Sequence, residues 1–211
     1  MCTEEKIKVY AVENDTMASH VFKQIFADSK TYDFEITKVA GNDSANIERS
    51  RDEDKKYLMD ILTERNFHIL ILDLLLRDGM TFDQEEIVGS EFSGIENVLS
   101  LEIARQLKSL PDKHDFLLVF TSSSTICRTH QQFEDIRDKH GDIVPEDAVF
   151  IFKPEEEFED VFFNCPINIG ANGTACDKEK RGRNGCSQKE CFLKLLDKYY
   201  EEFQKRKRNG Q

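Results

Sequence analysis

The stretch FHILILDLLLRDG, residues 67–79, decides how the chain is read. Its Ile- and Leu-rich run is the pattern of a strand buried on both faces of a sheet. Asp73 nevertheless stands between Leu72 and Leu74. A carboxylate there is costly unless it is paired, hydrogen-bonded or bound to a metal. Asp73 is therefore either a turn residue or a carboxylate held at the end of a buried strand for chemistry, and the other strands must decide between the two.

Strand and helix signals alternate on both sides of it. KIKVYAV (6–12) is a strand, followed by Ala18, Val21, Phe22, Ile25 and Phe26 at the spacing of a helix lying on a sheet. YDFEITKVA (32–40) alternates polar and apolar residues, as an edge strand with one wet face does. Tyr57, Leu58, Ile61 and Leu62 mark a second helix, and 67–74 the third strand. The polar, glycine-punctuated RDGMTFDQEEIVGSEF (77–92) predicts a lengthened loop. A helix over about 94–110 ends before Pro111, and DFLLVFTSSS (115–124) is the fourth strand. TICRTHQQFEDIRDKHG is a fourth helix closed by Gly141, and AVFIFKP (148–154) is a fifth strand stopped by proline. Such alternation predicts an α/β fold, a five-stranded parallel doubly wound sheet with right-handed crossovers.

Composition narrows the function. The 211 residues suit one domain with insertions, 39% hydrophobic and 33% charged. A net charge of -12 argues against nucleic acid as a partner, because such binders concentrate positive charge. MCTEEKIKVY holds no apolar leader, and no run is long enough for a membrane span, so a soluble cytoplasmic protein without a membrane partner is expected. Cys165, Cys176, Cys186 and Cys191 fall in one stretch spaced C-x10-C-x9-C-x4-C. That lacks the tight pairs of common zinc modules, and free thiols in a surface insertion are the plainer reading. The five histidines, His20, His68, His114, His130 and His140, show no ligand spacing.

In a doubly wound sheet the working site lies beyond the carboxyl ends of the strands. Strand one ends in Glu13, Asn14 and Asp15, strand three in Asp73, strand four in Thr121 and Ser122, and strand five in Lys153-Pro154. Clustered carboxylate and amide oxygens suit Mg2+, which needs few protein ligands. Asp73 would then be a metal-held nucleophile toward phosphorus, with Lys153 and Thr121 contacting phosphate oxygens.

VENDT after strand one, LILDLLL, VFTSSS and FIFKP, in that order at the ends of strands one, three, four and five, resemble the receiver domain of two-component response regulators. The resemblance covers residues 5 to 154 and, with a last helix, nearly the whole chain. It implies a flavodoxin-like fold in strand order 2-1-3-4-5, and phosphotransfer to Asp73 from a sensor histidine kinase or phosphotransfer protein, with Mg2+ required. It also implies that the backbone carbonyl of Leu75 joins Glu13, Asn14 and Asp73 as a metal ligand. Thr121 and Phe150 become switch residues drawn inward on phosphorylation, and Lys153-Pro154 falls where the family commonly has a cis peptide. The organisation expected is a single receiver over 1–211, with insertions at about 77–92 and 160–187 and a final helix at about 188–207.

No output domain fits after residue 154, so the expectation is a stand-alone, non-enzymatic regulator acting on a downstream protein target. The helix 4–strand 5–helix 5 face is the candidate surface for that target or for a homodimer. The resemblance further implies that the side chains two beyond the aspartate and two beyond the threonine, here Leu75 and Ser123, tune water attack on the acyl phosphate; an apolar Leu75 cannot position water, so a long-lived phosphoryl group is expected. The family's usual pair of adjacent acids after strand one is Glu13-Asn14 here, which should weaken Mg2+ binding unless Asp15 compensates. The main alternative is a degenerate receiver, an interaction module independent of phosphorylation. An aspartate-nucleophile hydrolase is rejected because the second acid expected two residues after the nucleophile is Leu75. Asn14 can also be read as the N-cap of the first helix. The stripe Phe192, Leu195, Leu196, Tyr199, Tyr200 and Phe203 is read as the helix covering the sheet. EEEFED (155–160) and KRKR (205–208) are read as solvated charge.

Overall fold

Four of the apolar runs and the amphipathic segment 32–38 become five parallel strands in one sheet. They are β1 (Ile7–Glu13), β2 (Tyr32–Lys38), β3 (Ile69–Asp73), β4 (Leu117–Ser122) and β5 (Val149–Phe152), in the order β2-β1-β3-β4-β5. This is the flavodoxin-like order. The computed structural model describes residues 5–39, 51–74, 76, 99–111, 115–122, 130–139, 141, 144–153 and 188–210. The expected insertions at 77–92 and 160–187, Leu75, Ser123, Pro154 and the cysteines Cys165, Cys176 and Cys186 lie outside the described residues.

β3 and β4 are buried at every position because helices cover both faces of the sheet. β2, at the edge, alternates buried or half-buried with exposed residues over most of its length. Side chains of successive strand residues point to opposite faces, and the two cores follow that parity. Tyr10, Val12, Leu70, Leu72, Leu118, Phe120 and Phe150 pack with α2 (Arg51–Glu64), α3 (Leu99–Ser109) and α4 (His130–Lys139). Val9, Ala11, Ile69, Ile71, Leu117, Val119 and Ile151 pack with α1 (Thr16–Phe26) and α5 (Gln188–Arg208).

α5 is anchored through Phe192, whose ring meets Phe22 edge-on at 5.6 Å, and through Leu196 and Phe203. Emptying the Phe192 position would cost about 3–5 kcal/mol. The expected stripe on this helix is thus the cover of one sheet face.

Two local readings are corrected. The N-cap of α1 is Asp15, not Asn14: the Asp15 carboxylate accepts from the amides of Met17 (2.6 Å) and Ala18 (3.0 Å). An N-cap must reach the free amides two and three residues on, and Asn14 is one residue too early, buried beside β1. The third strand also ends at Asp73 rather than Leu74, so the carboxylate is the last strand residue. Among the described residues no helix is long and apolar enough to cross a membrane.

Candidate functional site

Register and parity bring the strand ends together. Val12 pairs with Leu72 and Asp73 with Thr121, so one step past Val12 Glu13 stands opposite Asp73. Glu13, Asp73, Thr121 and Lys153 continue the odd-numbered series that faces α1 and α5, and they therefore project on one side of the sheet at its carboxyl edge. All four are buried, none more than 4% exposed.

Lys153 is the hub. Its Nζ lies 3.0 Å from Oε1 of Glu13 and 3.0 Å from Oδ2 of Asp73. Oε1 of Glu13 also accepts the backbone N–H groups of Asn14 (3.1 Å) and Asp15 (3.0 Å). Oε2 of Glu13 and Oγ1 of Thr121 are buried, with no hydrogen-bond partner among the described residues. A buried acceptor and a buried hydroxyl left open are costly, and here both belong to the side chains that flank Asp73.

The charges are unequal: two carboxylates share one ammonium. Burial, and then the neighbouring charge of Asp73, push Glu13 up to about 7, outweighing the opposing pull of Lys153 and the backbone amide. For Lys153 burial works against the charge, but Asp73 and Glu13 together hold it above the ordinary lysine range.

The remaining predicted residues are placed as follows. Ser122 is buried at the end of β4, and its carbonyl accepts the Lys153 amide at 3.2 Å, which fixes the start of the Lys153 side chain. Phe150 is on the opposite face, stacked on Phe133 with centroids 5.5 Å apart inside the α2–α3–α4 core. Asp15 is exposed, and Oδ1 of its carboxylate caps α1.

The donors fit a hard cation. Glu13 offers a buried oxygen with no hydrogen bond, and Asp73 a second carboxylate; Mg2+ is held by one or two carboxylates with waters elsewhere. No group of three or more His, Cys, Asp or Glu residues suited to a metal occurs among the described residues.

One residue was missed. Ser100, wholly buried in α3, donates its hydroxyl to the carbonyl of Leu74 at 2.7 Å. The available signal was a small polar residue in the apolar run LSLEIARQL.

No family model matches the chain, and no curated protein matches it. Solved structures do. The chain is similar to a bacteriophytochrome response regulator, RtBRR, at 15% identity over 72% of each chain, with a TM-score of 0.42. It is similar to the two-component response regulator RcsB, solved with DNA, at 10% identity over 90% of this chain and 67% of that one, with a TM-score of 0.41. A fusion carrying the yeast Spc42 trimeric coiled coil matches at 12% identity over 95% of each chain, with a TM-score of 0.39. At such scores the fold assignment rests on the sheet order and register of this chain itself.

Proposed function

We propose that the chain is a receiver, in which Asp73 takes a phosphoryl group from a phosphohistidine on a kinase or phosphotransfer partner and the signal passes on by protein contact. The observation that supports this best is the buried Asp73–Lys153–Glu13 arrangement at the carboxyl edge of the sheet, beside the unpartnered hydroxyl of Thr121. A carboxylate oxygen of Asp73 attacks phosphorus; the new P–O bond forms as the P–N bond to imidazole breaks, and the released nitrogen takes a proton. Lys153 balances the added anionic oxygens, and the Thr121 hydroxyl donates to one of them. Mg2+, held by Glu13 and Asp73 with Asn14 and the Leu75 carbonyl, would supply positive charge to the phosphoryl oxygens. The protein is consumed and regenerated as a phosphoacceptor rather than turning over as an enzyme, and a cytoplasmic setting goes with this reading. The face formed by α4, β5 and α5 is its contact surface.

One observation favours the other reading, an interaction module that is never phosphorylated. Glu13 and Asp73 already share the Lys153 ammonium, which answers part of the charge that draws a metal. Intact-mass spectrometry after incubation with phosphoramidate, with and without Mg2+, separates the two. A Mg2+-dependent gain of one phosphoryl group, lost in Asp73→Asn, upholds the receiver. No gain under any condition leaves the interaction module.

A further inference from the structure

We infer that Ser100 is a positioning residue for Asp73, pinning the backbone from which the phosphoacceptor carboxylate projects. The inference rests on the receiver reading, since it assigns a role toward the group that Asp73 accepts.

The geometry is specific to Leu74. Asp73 is the last residue of β3, so the chain leaves the sheet immediately after it. At that exit the Leu74 amide donates to the carbonyl of Thr121 at 2.7 Å, extending the β3–β4 ladder one step beyond its last strand pair. The carbonyl of the same residue accepts the Ser100 hydroxyl, also at 2.7 Å. Both polar groups of Leu74 are thereby held, one by β4 and one by α3.

Packing leaves Ser100 little choice. It is wholly buried, on a helix whose Leu99, Leu101, Ile103 and Ala104 are buried as well. A hydroxyl in such surroundings requires a partner, and Leu74 itself is only 4% exposed, so its carbonyl requires one too. The serine thus ties the far helix to the residue next to Asp73 across 26 positions of sequence. Phosphoryl transfer by a carboxylate depends on orientation, and small misplacements of a reacting group are expensive in rate. A pin on the adjacent peptide acts on that orientation without touching the phosphoryl group.

The test is the rate of phosphoryl uptake from phosphoramidate in saturating Mg2+, for wild type, Ser100→Ala, Ser100→Thr and the packing control Ala104→Gly. Amide exchange at Leu74 is followed by NMR in the same proteins. The expectation for Ser100→Ala is a maximal rate about tenfold lower, an unchanged half-saturating donor concentration, and faster exchange at Leu74. Ser100→Thr, which keeps the hydroxyl, should recover most of the rate. A Ser100→Ala protein with wild-type rate and exchange would overturn the inference. A slowing matched by Ala104→Gly would overturn it also, by showing only general loosening of α3. If the wild type takes no phosphoryl group, the receiver reading fails by itself. Exchange at Leu74 then still decides whether Ser100 pins that peptide, with unchanged exchange counting against it.

Discussion

Nζ of Lys153 stands 3.0 Å from Oε1 of Glu13, a contact that spans 140 positions of sequence and ties the end of β5 to the end of β1. Oδ2 of Asp73 lies at the same distance, so the lysine bridges two buried carboxylates. Removing either kind of charge must therefore have opposite consequences.

Lys153→Met takes away the cation. Two buried carboxylates then lose that ammonium, and breaking a buried pair in this way costs about 3–5 kcal/mol. Urea unfolding at pH 8 is expected to show a loss of that order. At pH 5, where Glu13 is neutral, the loss should shrink.

Glu13→Gln removes the excess negative charge, and its effect depends on pH. Glu13 ionises at about 7 in the folded protein against an ordinary 4.5. A folded value above the unfolded one means that the native state holds the proton more tightly. The stability it contributes is complete below pH 4.5 and is lost as pH rises through 7. The gap is worth roughly 3 kcal/mol. In chelator, wild type measured against Glu13→Gln should lose about that much between pH 4.5 and pH 8. Titrating groups remote from Glu13 are common to both proteins and cancel. A difference independent of pH would show that Glu13 does not titrate in this window.

Thr121→Val replaces a buried, unpartnered hydroxyl by a methyl group of similar shape. The protein is expected to gain about 1 kcal/mol of stability and, under the proposed receiver function, to lose the coupling between phosphorylation and partner contact. A lower urea midpoint in the variant would mean that the hydroxyl finds a partner in solution.

Asp15→Ala tests the cap. Loss of the two side-chain bonds to α1 should cost about 1 kcal/mol and, under the proposed receiver function, leave the Mg2+ dependence of phosphoryl uptake unchanged. A raised Mg2+ requirement in the variant would return Asp15 to the site.

Much of the site was legible along the chain. Val9 and Ala11 lead to Glu13, Ile69 and Ile71 to Asp73, and Leu117 and Val119 to Thr121. In each case the polar residue continues an apolar every-second-residue series past the strand end. Unbroken apolar runs separated by helical stripes predict parallel strands, and parallel strands put their carboxyl ends along one edge. The cap of α1 was misread because Asn14 and Asp15 are both good caps, and only the position of the first helical turn chooses between them.

The sequence by itself thus determined the alternation of strands and helices, the parity of the residues at the strand ends and the chemical types gathered there, since these follow from period-2 and period-3.6 patterning within single segments. Only the tertiary structure decided that Lys153 bridges Glu13 and Asp73, that Oε2 of Glu13 and Oγ1 of Thr121 are left open, and that Ser100 reaches the carbonyl of Leu74. Those contacts join segments 26 to 140 positions apart. Their lengths are set by strand register and by the seating of a helix on the sheet, and periodicity within one segment carries no information about the distance to another.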